Sequence, residues 1–278
     1  MAIILDGLKC AAELKAEINE AASQLPRQPG LAAILVGDDP ASQVYVKNKG
    51  RDCAECGFYF RDYVLPANVT QSDLTQLIWD LNAKDFIDGI LVQLPLPRSL
   101  HERGILGSIY QSKDVDCFTA VNVGHMTLGY ASFIPCTPGG ITHLLRHYDI
   151  PIAGKHCVII GRSNIVGKPL AQLMLQSDAT VTVCHSKTPN LEAFTRQADI
   201  LVVAAGRAQL ISASMVKPGA VVVDVGMNRD AHGKLCGDVC FNEVQEIASA
   251  ITPVPGGVGP MTRAMLMWNV LKAAERRL

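Results

Sequence analysis

Ser42, Tyr45 and Lys49 bring a hydroxyl, a phenol and an amine together at spacings of three and four residues. At roughly 100° per residue, such steps return side chains to one face of a helix. The segment from Pro40 onward follows an apolar run at 31–36 and a turn-forming Gly37-Asp38-Asp39. A helix is therefore expected here, with Lys47 on nearly the opposite face. An aromatic ring beside an amine on a rigid helix can stack on a flat substrate and move a proton. The same two residues can instead form a packing pair, the lysine stem lying along the ring with its head in water.

A second chemistry is written further along. Residues 157–170 join an apolar run to a helical pattern through a loop holding Gly161, Arg162, Ser163 and Gly167. Such a loop turns backbone N–H groups and a positive helix end toward a pyrophosphate. The next apolar run ends in Cys184-His185-Ser186-Lys187, without the carboxylate that holds a ribose 2′-OH in NAD sites. Arg162 can pair with a 2′-phosphate, so NADP is favoured over NAD, although an arginine merely exposed on a turn is the alternative. Later strand ends, Ala205-Gly206 and Asp224 to Asn228 with Met227 between, lie where the nicotinamide side is expected. Tyr-x-x-x-Lys with a nearby serine also marks short-chain dehydrogenases, but there it follows the nucleotide loop. Here it precedes the only candidate loop by more than a hundred residues.

These side chains need a frame, and the chain supplies an alternating one. Apolar runs at 31–36, 59–65, 89–93, 157–161, 181–184, 200–204 and 221–224 are separated by amphipathic segments such as 72–83 and 166–176. That alternation predicts an α/β fold on parallel sheets. It is interrupted between Gln93 and Lys155, where 113–116 read as a loop and 134–140 as turn-rich, so two halves should meet near 120–150. Residues 260–278 read as a closing helix with proline in its first turn.

Composition narrows the classes. The 278 residues are 49% apolar and 18% charged, with 25 basic against 26 acidic side chains. Without a basic block, nucleic-acid binding is not expected. No apolar run approaches the roughly 18 residues a membrane span needs, and the opening run breaks at Asp6, too early for a signal peptide. The cytoplasm is the expected compartment. Nine scattered cysteines offer only Cys53/Cys56 and Cys236/Cys240 as close pairs, and neither completes a four-ligand metal site. Reduced thiols and no metal are expected.

Gln93 ends an apolar run between Val92 and Leu94, ahead of two prolines, and Asp116 closes Lys113-Asp-Val-Asp116. Either could serve local backbone or a ligand. Residues 251–262 crowd glycine and proline together, as a rigid close approach of backbone to a ligand demands. With Pro135-Cys-Thr-Pro138, these motifs occur together and in order. The chain thus resembles the bifunctional methylenetetrahydrofolate dehydrogenase/methenyltetrahydrofolate cyclohydrolase family over essentially its full length. The resemblance implies two α/β domains around a cleft: residues 1–120 with 261–278 for folate and catalysis, and 121–260 as a Rossmann-like NADP domain. It implies that Tyr45 stacks on the aminobenzoate ring, that Lys49 is catalytic with Gln93 assisting, and that Asp116 holds the pterin's amino edge. Val92, Leu94, Pro255, Gly256, Gly257, Val258 and Gly259 would line the folate site. Gly161, Arg162, Ser163, Ser186 and Met227 match cofactor positions. A homodimer serving one-carbon metabolism and purine biosynthesis is also implied. Two departures stand out: Cys117 where glycine is usual, and Gly50-Arg51 after the lysine.

Overall fold

The structure, a computed structural model, describes residues 1–230 and 233–277. The chain opens with strand β1 (Ile3–Ile4) and helix α1 (Gly7–Ser23), followed by β2 (Gly30–Val36), α2 (Pro40–Glu55), β3 (Tyr59–Leu65) and α3 (Gln71–Asn82). Strand β4 (Gly89–Val92) leads into α4 (Glu102–Gly107), α5 (Ala120–Thr127) and α6 (Cys136–His147). Next come β5 (His156–Ile160), α7 (Gly167–Gln176), β6 (Thr180–Cys184), α8 (Leu191–Thr195), β7 (Ile200–Val203) and β8 (Val221–Asp224). The last elements are β9 (Asn228–Arg229), β10 (Leu235–Cys236), α9 (Phe241–Val244), β11 (Ala250–Ile251) and α10 (Val258–Glu275).

Two compact units result: Ala12–Cys136 with Arg263–Leu278, and Met1–Ala11 with Thr137–Thr262. The first carries a parallel sheet in the order β3-β2-β4. Every residue of its central strand is buried, as expected of a parallel strand covered on both faces. Its core joins Ile34, Leu74, Ile78, Leu81, Ile90 and Ile105. The second carries a six-stranded parallel sheet, β1-β11-β8-β7-β5-β6. Val158, Ile160, Leu201, Val203, Val222 and Ile251 centre its core. In that sheet β5 lies between β6 and β7, so the strand order reverses there. The crevice beyond their carboxyl ends is where open α/β sheets bind ligands.

The seven strands expected from apolar runs all form. The boundaries between units differ from the expected 120/121 and 260/261. Residues 1–11 join the six-stranded unit because β1 pairs with β11 and Leu8 N–H donates to Gly256 O at 3.1 Å. Residues 121–136 stay with the three-stranded unit, where Asn122 Nδ2 bonds Asp114 Oδ2 and Asn269 Nδ2 bonds Ile134 O. The turn-rich expectation for 134–140 is corrected too, since helix begins at Cys136. Pro138 falls in its first turn, where proline needs no partner for a missing N–H. Gly140 is required there because a Cβ would stand 2.9 Å from the Cβ of Met261. Among the described residues no helix is long and apolar enough to cross a membrane.

Candidate active site

Helix α2 is fixed at both ends. Asp39 caps its start by accepting the Ser42 N–H at 2.8 Å, with Pro40 next in sequence. That bond also holds the Asp39 carboxyl below the usual carboxylate range. Its far end closes on Gly57 at φ +72°, with Phe58 N–H reaching Cys53 O at 2.8 Å, a glycine-terminated cap. Between them Ser42 is buried, Tyr45 is 37% exposed, Lys49 is partly buried and Lys47 faces solvent. The expected stripe and its opposite face are both present. Gly50 lies so close to β3 that a Cβ would meet the Phe60 ring at 3.0 Å. The small residue lets the helix close on the sheet.

Lys49 Nζ donates to Gln93 Oε1 at 2.8 Å. The amide is held from its other side, since Gln93 Nε2 donates to Leu94 O at 2.7 Å and its backbone N–H to Ile34 O. The N–H groups of the amine donate and a carbonyl can only accept, so these bonds fix which way the amide faces. Burial drives the Lys49 amine below its ordinary value. Asp116, Cys136 and Cys53 pull in the opposite direction, while Arg263 adds to the depression. Burial likewise raises the Tyr45 phenol, with Arg263 opposing it.

Asp116 sits on a loop that its neighbours organise. Lys113 is buried, and its Nζ donates to Leu81 O and Lys84 O beside the end of α3. Burial first, and then Arg277, bring its amine down to about 8. Asp114 accepts from Phe118 N, Thr119 N, Thr119 Oγ1 and Asn122 Nδ2 at 2.7–3.0 Å. Val115 O accepts from Asn269 Nδ2 at 2.7 Å. Cys117 takes φ +59°, so this cysteine occupies left-handed backbone, a strain of about 1 kcal/mol or more. It is also buried, at 1% exposure. The Cys136 thiol lies against Asp116 and is pushed well up, by burial and then by that carboxylate.

Two further charged groups, Asp52 and Arg263, belong to this helix face. Asp52, 2% exposed and three residues past Lys49, receives Lys15 Nζ at 3.0 Å on Oδ1 and Arg263 at 3.1 Å on Oδ2. Its place seven residues beyond Tyr45 continues the same helical stripe, and that was the available clue. Arg263 had none, because its partner is far away in sequence.

In the other unit, Gly161 follows β5 at φ +127°, and a Cβ there would stand 2.3 Å from Ala204 O. A Cβ on Gly167 would stand 2.1 Å from Gly161 O. Both glycines are thus demanded by close backbone, the roles a strand–turn–helix phosphate loop assigns them. Ser163 Oγ accepts from Val166 N and Gly167 N at 3.1 and 3.4 Å, so this hydroxyl ties the turn to the start of α7. Arg162, Ser163 and Ser186 are exposed, as is Met227. Strand β6 ends at Cys184 without a carboxylate. The arrangement fits a dinucleotide whose ribose carries a phosphate better than one with a free 2′-OH.

Pro255, Gly256, Gly257, Val258 and Gly259 belong to this second unit as well. Gly256 has φ +108°, and a Cβ on Gly257 would stand 2.6 Å from Pro253 O. A Cβ on Gly259 would meet nothing, so the local fold does not require that glycine. Tyr45, Lys49, Gln93 and Asp116, with Val92 and Leu94, share the first unit. Among the described residues no cluster of three or more His, Cys, Asp or Glu side chains is arranged to hold a metal ion.

Comparison with known proteins agrees along the whole chain. A model of the tetrahydrofolate dehydrogenase/cyclohydrolase catalytic domain matches residues 5–116, and one of that family's NAD(P)-binding domain matches 135–278. The chain is 53% identical over 273 residues to the bifunctional protein FolD of Ruminiclostridium cellulolyticum, covering 97% of this chain and 96% of that one. It is 54% identical to the same protein of Campylobacter hominis, with 99% and 98% covered. Among solved structures it is similar to the bifunctional FolD methylenetetrahydrofolate dehydrogenase/cyclohydrolase of Campylobacter jejuni, with TM-score 0.98, 52% identity and both chains covered in full. The Trypanosoma brucei FolD, solved with NADP cofactor and inhibitor, matches with TM-score 0.95 and 40% identity over 99% of this chain and 98% of that one.

Proposed function

The chain belongs to the tetrahydrofolate dehydrogenase/cyclohydrolase family, and on that footing we propose that it performs two consecutive reactions on one folate. The methylene carbon of 5,10-methylenetetrahydrofolate gives a hydride to NADP⁺, leaving the methenyl cation. Water then attacks that carbon, a proton leaves, and ring opening gives 10-formyltetrahydrofolate. NADP⁺ supplies, when bound, the hydride acceptor. Gly161, Arg162, Ser163, Ser186 and Met227 are the residues that would hold it, with Arg162 facing the 2′-phosphate.

The observation carrying the proposal is the 2.8 Å bond between Lys49 and a Gln93 amide that is itself tied down. Hydrolysis needs a base near neutral pH, and an ordinary lysine at about 10.4 is a poor one. Burial lowers Lys49, and a bound methenyl cation would disfavour a second positive charge beside it. Lys49 therefore takes the proton from the attacking water. Gln93 orients the amine and cannot itself titrate. Tyr45 stacks on the aminobenzoate ring and Asp116 accepts from the pterin amino group. Val92 and Leu94 complete the folate contacts. In this reading the three-stranded unit works on folate and the six-stranded unit on the cofactor. Family resemblance further supports a homodimer acting in the cytoplasm and supplying one-carbon units to purine biosynthesis.

Mixing the protein with methylenetetrahydrofolate and NADP⁺, while following NADPH and methenyl absorbance, tests the proposal. NADPH with only transient methenyl is the expected result. Accumulating methenyl would leave a dehydrogenase whose hydrolytic step is weak, the outcome if Cys117 disturbs the loop carrying Asp116. Absence of NADPH would reduce the chain to a noncatalytic folate or NADP binder and overturn the reading.

A further inference from the structure

Asp224 closes β8, and Asp238 follows β10. Both are buried, at 3% and 0% exposure. Asp224 accepts from Gly226 N (2.9 Å), Asp238 N (3.0 Å) and Val239 N (2.9 Å). Asp238, its backbone held in this way, turns its own carboxylate to the loop after β7. Oδ2 accepts from Ala205 N at 2.6 Å and Gly206 N at 2.9 Å, and Oδ1 from Arg207 N at 2.8 Å. Asn228 Nδ2, from the segment after β8, completes the set at 2.8 Å.

The surrounding sequence makes room for these carboxylates. A Cβ on Gly226 would stand 2.5 Å from Asp238 Cγ, and one on Gly237 would stand 1.8 Å from Asp224 Oδ2. Neither glycine is among those with positive φ, so space rather than backbone freedom excludes a side chain. Three successive N–H groups form the concavity that elsewhere binds phosphate. Here a carboxylate of the protein fills it. The backbone of a turn whose N–H groups are already taken can offer a ligand only carbonyl acceptors. Such a backbone suits the N–H donors of a carboxamide better than the acceptor oxygens of a phosphate.

We propose that Asp238 is a positioning residue for the cofactor. By occupying the N–H groups of residues 205–207 it makes the turn after β7 an acceptor surface for the amide end of a nicotinamide. Phosphate recognition is thereby left to the loop after β5. The inference rests on the reading above that residues 205–206 and Met227 serve the nicotinamide side.

The test separates the two ends of the cofactor. NADPH binding is followed by its fluorescence, and binding of 2′,5′-ADP, which lacks the nicotinamide, by calorimetry. Asp238→Asn turns an amide donor toward backbone N–H groups and should raise the Kd for NADPH about tenfold. The Kd for 2′,5′-ADP should stay within about twofold, since the lost contact lies at the other end. Equal loss for both ligands would mean a purely structural role and overturn the proposal, as would unchanged binding of both. If Asp238→Asn does not fold, Asn228→Ala, which removes one of the four donors, takes its place. It should weaken NADPH about threefold and spare 2′,5′-ADP, and equal effects on the two would again overturn the proposal. Arg162→Ala is the reference and should weaken 2′,5′-ADP. If it does not, the assignment of this face to the cofactor fails, whatever Asp238 does.

Discussion

Lys49 is under two opposed demands. Folding would prefer an apolar side chain at a site that resists charge, whereas hydrolysis needs an amine there. Its folded pKa lies below the ordinary 10.5, so between those two values the unfolded chain binds a proton that the native protein does not. Stability contributed by this group therefore rises with pH across that window and is fully regained above about 10.5. Lys49→Met should abolish cyclohydrolase activity, retain some hydride transfer and folate binding, and melt at a higher temperature than the parent at pH 7. The parent's extra gain in melting temperature at alkaline pH should be absent from it. Wild-type hydrolysis of methenyltetrahydrofolate by Lys49→Met would remove Lys49 from the mechanism. At this scale the sequence was most informative where residues share one helix, because periodicity turns spacing into direction. It was silent on Arg263, whose ion pair with Asp52 spans most of the chain, and no local pattern announces such a partner.

Secondary-structure elements place these groups, and glycines set how closely the elements approach. Helix α7 begins at Gly167, where alanine would be favoured by about 1 kcal/mol on helix propensity alone. The Cβ would nevertheless stand 2.1 Å from Gly161 O and 2.6 Å from its carbonyl carbon, and backbone cannot swing aside as a side chain can. Packing should win. Gly167→Ala is expected to lose about 2 kcal/mol or more in urea unfolding, with weaker NADPH binding. A variant as stable as the parent would contradict this. The long buried strands were legible because continuous apolar runs flanked by turn residues have few other solutions. Strands β1 and β11, two residues each, are too short for any period to show. Helix α6 was hidden by Pro138, Gly139 and Gly140, turn formers by composition. Proline fits a first turn, and Gly140 makes room for Met261.

For the molecule as a whole, alternation of strands and helices foretold two α/β units, but not which distant segments complete each one. Those joins are made by tertiary bonds such as Asn269 to Val115 and Arg277 to Ile87, invisible to any window along the chain. The three-stranded unit needs both Ala12–Cys136 and Arg263–Leu278. A chain lacking residues 263–278 keeps Tyr45, Lys49, Gln93 and Asp116, yet loses the partners of Asp52 Oδ2 and Val115 O. Such a truncation should show no methenyltetrahydrofolate hydrolysis and rapid proteolysis of residues 12–136. Protection equal to that of the full chain would contradict this. The order of synthesis follows from the same connectivity. The ribosome makes the proton-handling residues before the segment that locks them in place, so this unit waits through the translation of another before it can finish folding. An unfinished chain holds its chemistry but not the scaffold to use it.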